Sequence, residues 1–191
     1  MKIMIISGSN RKNSQSERIS EIVKAEYKKL INVLPELITL EKEDMPFWKE
    51  EGFGTYSDRW SSLSKSMEEC DGFIFVVPEW HGMVPSQVKN FLLAAGTKIF
   101  WHKPALIIAI SSADGGAYPP MELRGSSHKN SFILWIPEQV IIRRVKDWFP
   151  ENKDEVYDRL ILALNTLNVY AKEMKEVRKS LSQYSRFSFG M

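Results

Sequence analysis

The sequence predicts an α/β fold in which five parallel strands form one sheet covered by helices on both faces. Three observations predict it. Short β-rich apolar runs alternate with segments of helical periodicity along the 191 residues. Two of those runs, 73–77 (Phe-Ile-Phe-Val-Val) and 105–110 (Ala-Leu-Ile-Ile-Ala-Ile), are apolar without alternation, as expected of strands buried on both faces. Polar or glycine-bearing loops follow three of the runs directly, at 7–16, 78–83 and 111–116.

The elements follow in order. Residues 2–6 (Lys-Ile-Met-Ile-Ile) form the first strand. A helix comes next, with Ile19, Ile22, Val23, Tyr27, Leu30 and Ile31 at helical spacing. Ser14 or Ser16 can cap it, and Glu17 suits its positive end. Residues 36–40 form a weaker second strand. The stretch 44–57 reads as a loop in which Pro46, Gly52 and Gly54 alternate with Phe47, Trp48, Phe53 and Tyr56. A helix over 58–69 leads into the strand at 73–77. After the turn at 78–83, a helix runs from about 85 to 95, with Pro85 near its first turn and Gly96 ending it. The strand at 105–110 and its loop precede a helix within 118–132 and a final strand at 139–142. The last helix places Leu160, Leu164, Leu167, Ala171, Met174 and Leu181 on one stripe. No repeat or low-complexity linker interrupts the chain, and a single domain over 1–191 is expected.

Composition narrows the function classes. The 26 Lys and Arg nearly balance the 24 Asp and Glu, for a net charge of +2, which predicts no nucleic-acid or membrane-surface partner. One cysteine, Cys70, excludes an intramolecular disulfide framework and fits a reducing, cytoplasmic compartment. No apolar run approaches the length of a membrane span, and the N-terminus lacks a secretory pattern.

In open parallel sheets, ligands sit beyond the carboxyl ends of the strands, near a switch in strand order. With strand order 2-1-3-4-5, strands one, three and four are neighbours, and the three polar loops converge. The first reads Gly8-Ser9-Asn10-Arg11-Lys12-Asn13-Ser14-Gln15-Ser16 and enters a helix N-terminus, where free amides and the helix dipole suit a phosphate. Ser9, Ser14 and Ser16 add hydroxyls and Arg11 adds a charge. The loop lacks the Gly-Lys-Ser/Thr ending of a nucleoside-triphosphate loop and the Gly-x-Gly-x-x-Gly of a dinucleotide site, so a terminal monophosphate fits it better than a pyrophosphate. An ordinary serine-capped turn is the plainer alternative.

The second loop, Pro78-Glu79-Trp80-His81-Gly82-Met83-Val84-Pro85, offers a flat aromatic surface and exposed amides that suit the edge of a flavin ring. A rigid turn packed on a neighbouring subunit is its other reading. The third loop, Ser111-Ser112-Ala113-Asp114-Gly115-Gly116, lets backbone approach a ligand closely, and its amides suit negative charge on a reduced flavin; a simple flexible turn is its other reading.

These motifs resemble the NADPH-dependent FMN reductase family, which includes quinone, chromate and azo-dye reductases. The family pattern Gly-Ser-x-Arg-x-x-Ser matches Gly8, Ser9, Arg11 and Ser14. Its Pro-Glu-Tyr-Asn-Gly-Ser-x-Pro segment and following Lys-Asn pair match Pro78 to Pro85 and Lys89-Asn90, and Asp44-Met45-Pro46 matches its short loop after strand two. The resemblance spans roughly residues 1–120. It implies a flavodoxin-like three-layer fold, bound FMN, NADPH or NADH as co-substrate, a small-molecule electron acceptor, and a homodimer or homotetramer with flavins near the subunit interface. Carried over by position, Ser9, Arg11, Ser14 and Ser16, with Gln15 beside them, hold the phosphate. Pro78, Glu79, Trp80, His81, Gly82 and Met83 border the flavin ring, as do Ser111, Gly115 and Gly116. Trp80 stands where the family has Tyr, His81 where it has Asn, and Met83 where it has Ser. Trp80 and the aromatic loop at 47–56 are expected on the substrate side.

No catalytic side chain is assigned, because such a cofactor carries the chemistry and the protein supplies position and electrostatics. A hydrolase is disfavoured by the absence of a Gly-x-Ser-x-Gly elbow. His102 and His128 lack partners at metal-ligand spacing, so no metal is expected. The competing reading is an FMN-bearing electron carrier without NAD(P)H turnover of its own.

Overall fold

A computed structural model describes residues 1–43, 45–48 and 58–187. Strands β1 (Ile3–Ser7), β2 (Glu36–Thr39), β3 (Gly72–Pro78), β4 (Pro104–Ile110) and β5 (Leu134–Ile142) form one sheet in the order β2-β1-β3-β4-β5. All four pairings are parallel. Helices α1 (Gln15–Ile31), α2 (Asp58–Glu68), α3 (Ser86–Phe100), α4 (Tyr118–Ser126) and α5 (Glu155–Leu181) cover it.

Alternation along the strands builds two cores. Ile3, Ile5, Ile74, Val76, Leu106 and Ile108 face one side and pack on Ile19, Val23 and Tyr27 of α1 and Leu160, Leu164, Leu167 and Ala171 of α5. Met4, Ile6, Phe73, Phe75 and Ile107 face the other, against Trp60 of α2, Phe91 and Phe100 of α3 and Leu123 of α4. Both faces of β3 and β4 are therefore buried, which is why their sequences are apolar without alternation.

Three departures from the sequence reading have identifiable causes. Gly96 ends the first helical run as expected, at φ 55°, ψ −161°, but a second helical stretch that the sequence reading did not include follows it to Phe100. β5 begins at Leu134 rather than 139, because the register shifts opposite Ala105 and Ile107 and the resulting bulge accommodates Pro137. Arg124 secures that irregular stretch, donating to the Ile136 carbonyl at 2.7 Å. Between β5 and α5, two short 3-10 turns at Val145–Asp147 and Pro150–Asn152 occupy a connection the sequence left unread.

Ser14 caps α1, accepting from the Glu17 amide at 3.1 Å. Of the 44–57 loop, Asp44 and residues 49–57 lie outside the described residues. The described part is strapped to α3: Asn90 accepts from the Trp48 amide at 2.7 Å and donates to the Pro46 carbonyl at 3.0 Å.

Candidate functional site

Because β1, β3 and β4 are adjacent, the loops that leave them meet at the carboxyl edge of the sheet. They enclose a cavity of about 310 Å³. Gly8 starts the first loop under tight constraint. Its amide donates to the Val76 carbonyl at 2.9 Å, and a Cβ there would stand 2.7 Å from Val88 Cγ2. A side chain is thus excluded where the loop crosses from β1 past β3.

In the first loop, Ser9 is buried and its Oγ accepts from the Arg11 amide at 3.1 Å. Gln15 accepts from Arg18 Nε at 2.7 Å. Ser16 is 1% exposed, and its Oγ has no partner. The amides of Gln15 and Ser16 belong to the first turn of α1, where backbone donors have no intrahelical acceptor. Arg11 is exposed, with its guanidinium carbon 4.6 Å from the Trp80 ring centroid.

The second loop is a tight turn. Trp80 and Met83 exchange both backbone hydrogen bonds, at 3.1 and 2.9 Å, and His81 (φ 51°) and Gly82 (φ 73°) sit left-handed at its tip. The Glu79 amide donates to the Ile110 carbonyl at 3.0 Å, and the Val84 amide to Glu122 at 2.7 Å. Among the described residues, this leaves the His81 and Gly82 amides as the open donors of the turn. Lys89 pairs with Glu122 and holds that carboxylate in place.

The third loop is tied to the second. Glu79 accepts from the Gly116 amide at 2.7 Å and the Tyr118 amide at 3.4 Å. Gly116 has φ 99°, and a Cβ on it would meet Ile141 Cγ2 at 2.6 Å. Ser111 Oγ accepts from Ala113 at 3.3 Å. Arg143 donates to the Asp114 carbonyl at 2.7 Å, and Arg144 pairs with the Asp114 carboxylate at 3.0 Å.

The cavity brings together most of the residues singled out from sequence: Ser9, Arg11, Ser14, Gln15, Ser16, Pro78, Glu79, Trp80 and Ser111 all line it. His81, Gly82, Met83, Gly115 and Gly116 lie outside its lining. The Gly116 amide, read as a donor to a flavin, is instead taken by Glu79, and the Glu79 carboxylate faces the third loop. Sequence reasoning missed the lining residues Lys12, Asn13, Ile110, Ser112, Val145 and Lys146. Lys12, Asn13 and Ser112 sit inside loops already marked, so proximity could have found them. Val145 and Lys146 carry no local signal. Arg18 brings them in, donating to the Val145 carbonyl and, at 3.1 Å, to the Trp148 carbonyl.

A larger groove of about 690 Å³ lies between α2, α3 and α4. Its wall is mainly apolar helix surface together with Trp48, Lys89 and Glu122, whereas the polar loops that leave β1, β3 and β4 converge on the smaller cavity. No group of three His, Cys, Asp or Glu capable of holding a metal occurs among the described residues. Cys70 is buried in the core, where desolvation pushes its thiol up to about 12 and it donates to the Ser66 carbonyl at 3.3 Å.

The donor set fits a phosphorylated ligand. A buried unpartnered hydroxyl, open helix-terminal amides and an arginine without a carboxylate partner among the described residues surround one cavity. The sheet order and flanking helices define a flavodoxin-like protein, and the donors of its first loop suit a monophosphate. The chain belongs to the NADPH-dependent FMN reductase family, whose model matches residues 1–165. FMN is its cofactor and NAD(P)H its electron donor. It is 22% identical over 181 residues to an NADPH azoreductase of Bacillus sp. (strain OY1-2), covering 95% of this chain and 98% of that one. It is 24% identical to the NADH-dependent flavin reductase subunit 2 of Lactobacillus johnsonii, covering 94% of this chain and all of that one. Among solved structures, an oxidoreductase from Corynebacterium diphtheriae superposes with TM-score 0.77 at 14% identity, over 90% of this chain and 97% of that one. An apo NADH:FMN oxidoreductase superposes with TM-score 0.74 at 18% identity, over 88% of each chain.

Proposed function

We propose that this protein takes a hydride from NAD(P)H onto non-covalently bound FMN and delivers the electrons to a quinone, flavin, azo compound or metal oxyanion. The observation that carries the placement of the cofactor is the buried, unpartnered Ser16 hydroxyl among open amides and beside Arg11. In this reading Ser9, Arg11, Ser14, Gln15 and Ser16 hold the phosphate, and Lys12 and Lys146 add positive charge at its rim. The tip amides of His81 and Gly82 meet the flavin edge. Pro78, Trp80, Met83, Ser111 and Gly115 border the ring, while Glu79 and Gly116 brace the two loops against each other. When bound, FMN supplies two-electron and one-electron chemistry, and no side chain needs to act as acid or base. Trp80 and Phe47 stand on the acceptor side; Phe47 is 76% exposed, available to an incoming apolar molecule.

The names of the relatives support azo compounds and flavins among the acceptors. A single domain in a cytoplasmic homodimer or homotetramer completes the proposal. Among the described residues no helix is long and apolar enough to cross a membrane.

The test is a visible absorption spectrum of the protein reconstituted with FMN, recorded before and after anaerobic NADPH and, separately, NADH. The expected result is bound flavin whose bands bleach within seconds, the faster donor being the preferred one. Bound flavin that stays oxidised with both donors makes the protein an electron carrier. Failure to bind FMN overturns the site.

A further inference from the structure

We propose that Trp80 is a positioning residue for Arg11, and that this pairing makes the site select a phosphorylated flavin over riboflavin. The inference rests on the placement of FMN above and adds a specificity element to it.

Four observations carry it. The Arg11 guanidinium carbon lies 4.6 Å from the Trp80 ring centroid, within cation–π range. Both residues line the same cavity as Ser14 and Ser16. Among the described residues Arg11 has no carboxylate partner, so the indole face is the contact that orders its charged end. The Trp80 backbone is held: its turn is closed by the paired backbone bonds to Met83, and the preceding Glu79 is bound to Gly116.

The chemistry follows from arginine's shape. A guanidinium held against an aromatic face by a cation–π contact keeps N–H donors free, and a phosphate can accept two of them. An arginine on an exposed loop samples many rotamers and gives up that freedom on binding an anion. An aromatic anchored on a closed turn and lying against it removes part of that freedom beforehand, so the phosphate meets a preorganised donor. The Ser9 hydroxyl holds the other end of the residue by accepting from the Arg11 amide at 3.1 Å. Trp80 thereby contributes to phosphate affinity without touching phosphate.

The experiment compares FMN and riboflavin by flavin-fluorescence titration of flavin-free protein. The proteins are wild type, Trp80→Tyr, Trp80→Phe, Trp80→Leu, Arg11→Ala and the Arg11→Ala/Trp80→Leu double variant. Trp80→Leu should raise the FMN dissociation constant about three- to fivefold more than that of riboflavin, the scale of one exposed cation–π contact. The FMN preference should fall in the order Trp, Tyr, Phe, Leu. In the Arg11→Ala background, Trp80→Leu should change both flavins by the same factor. Equal losses for the two flavins with Arg11 present overturn the inference and reduce Trp80 to a wall of the ring pocket. A wild type that binds riboflavin as tightly as FMN overturns it together with the phosphate site. A wild type that binds neither flavin overturns the proposed function as well. Should Trp80→Leu fail to fold, the Tyr and Phe variants are scored in the same way.

Discussion

Ser16 shows how one residue separates folding from binding. A buried hydroxyl without a partner costs free energy, and an anionic acceptor recovers it. Ser16 is such a hydroxyl at the first turn of α1. Ser16→Ala should therefore leave the flavin-free protein equally or more stable, by up to about 1 kcal/mol, while weakening FMN binding by about 1–3 kcal/mol. Thermal unfolding of flavin-free protein and an FMN titration check the two signs. A lowered melting temperature with unchanged FMN affinity would assign the hydroxyl to the fold alone. His81 is a different case. At φ 51° it occupies a left-handed position that asparagine accepts more readily, so the family's Asn at this position has a backbone reason as well as a side-chain one.

At the scale of elements, the site depends on how closely β1, β3 and α3 pack. Gly8 leaves β1 pressed between the Val76 carbonyl and Val88 Cγ2, at 3.0 and 2.7 Å from where a Cβ would stand. Gly8→Ala should destabilise the protein by about 1–3 kcal/mol through overpacking. The urea midpoint should fall at unchanged slope, and FMN affinity should fall with it, since the first loop starts at this residue. An unaltered midpoint would mean that α3 yields at Val88. The same helix steadies two other parts of the rim. Asn90 straps Pro46 and Trp48, and Lys89 holds Glu122 on the Val84 amide. The Lys-Asn pair thus works through neighbouring loops rather than by reaching into the cavity, whose lining includes neither residue.

The whole molecule treats its two sheet edges differently. The carboxyl edge opens into the cavity. The amino edge is closed by a charged cluster in which Asp71 accepts from the Lys2 amide at 2.9 Å and pairs with Lys175 at 2.9 Å and Arg178 at 3.2 Å. Lys103 is 6% exposed there and donates to the Met67 and Glu68 carbonyls at 3.1 and 2.7 Å, closing the end of α2. Burial pulls its ammonium from the usual 10.5 to about 8. Between those values the unfolded chain holds a proton that the folded chain has released. This group therefore penalises the fold below about pH 8, and the penalty is relieved as pH rises toward 10.5, by on the order of 3 kcal/mol. Lys103→Met should abolish that contribution. Urea unfolding of both proteins at about pH 7 and about pH 10 would show it as a stability difference that shifts toward wild type at the higher pH. A difference independent of pH would mean that the amine keeps its ordinary affinity for protons.

What the sequence by itself determined is what neighbouring residues encode. Unbroken apolar runs marked β3 and β4, helical stripes marked α1 and α5, and a Ser- and Arg-bearing loop before a helix marked the part of the cavity to which the phosphate is assigned in the proposal. Each signal lies within about one element's length, so no knowledge of the packing is needed to read it. The aromatic stretch at 47–56 was marked too, but only Phe47 and Trp48 belong to the described residues. Tertiary structure alone decided the rest. Glu79 meets the Gly116 amide across 37 residues, which turns a presumed flavin contact into a brace between loops. Arg18 gathers Val145 across 127 residues and brings Lys146 to the cavity rim. The sequence marked β5 only from 139 onward; the bulge lets the strand begin at Leu134 with Pro137 inside it, and Arg124 secures the neighbouring carbonyl. These contacts join groups that acquire a common neighbourhood only when the strands stand in the order 2-1-3-4-5. A hydrogen bond between such groups has no local signature, because the geometry that makes it favourable does not exist until the sheet has formed.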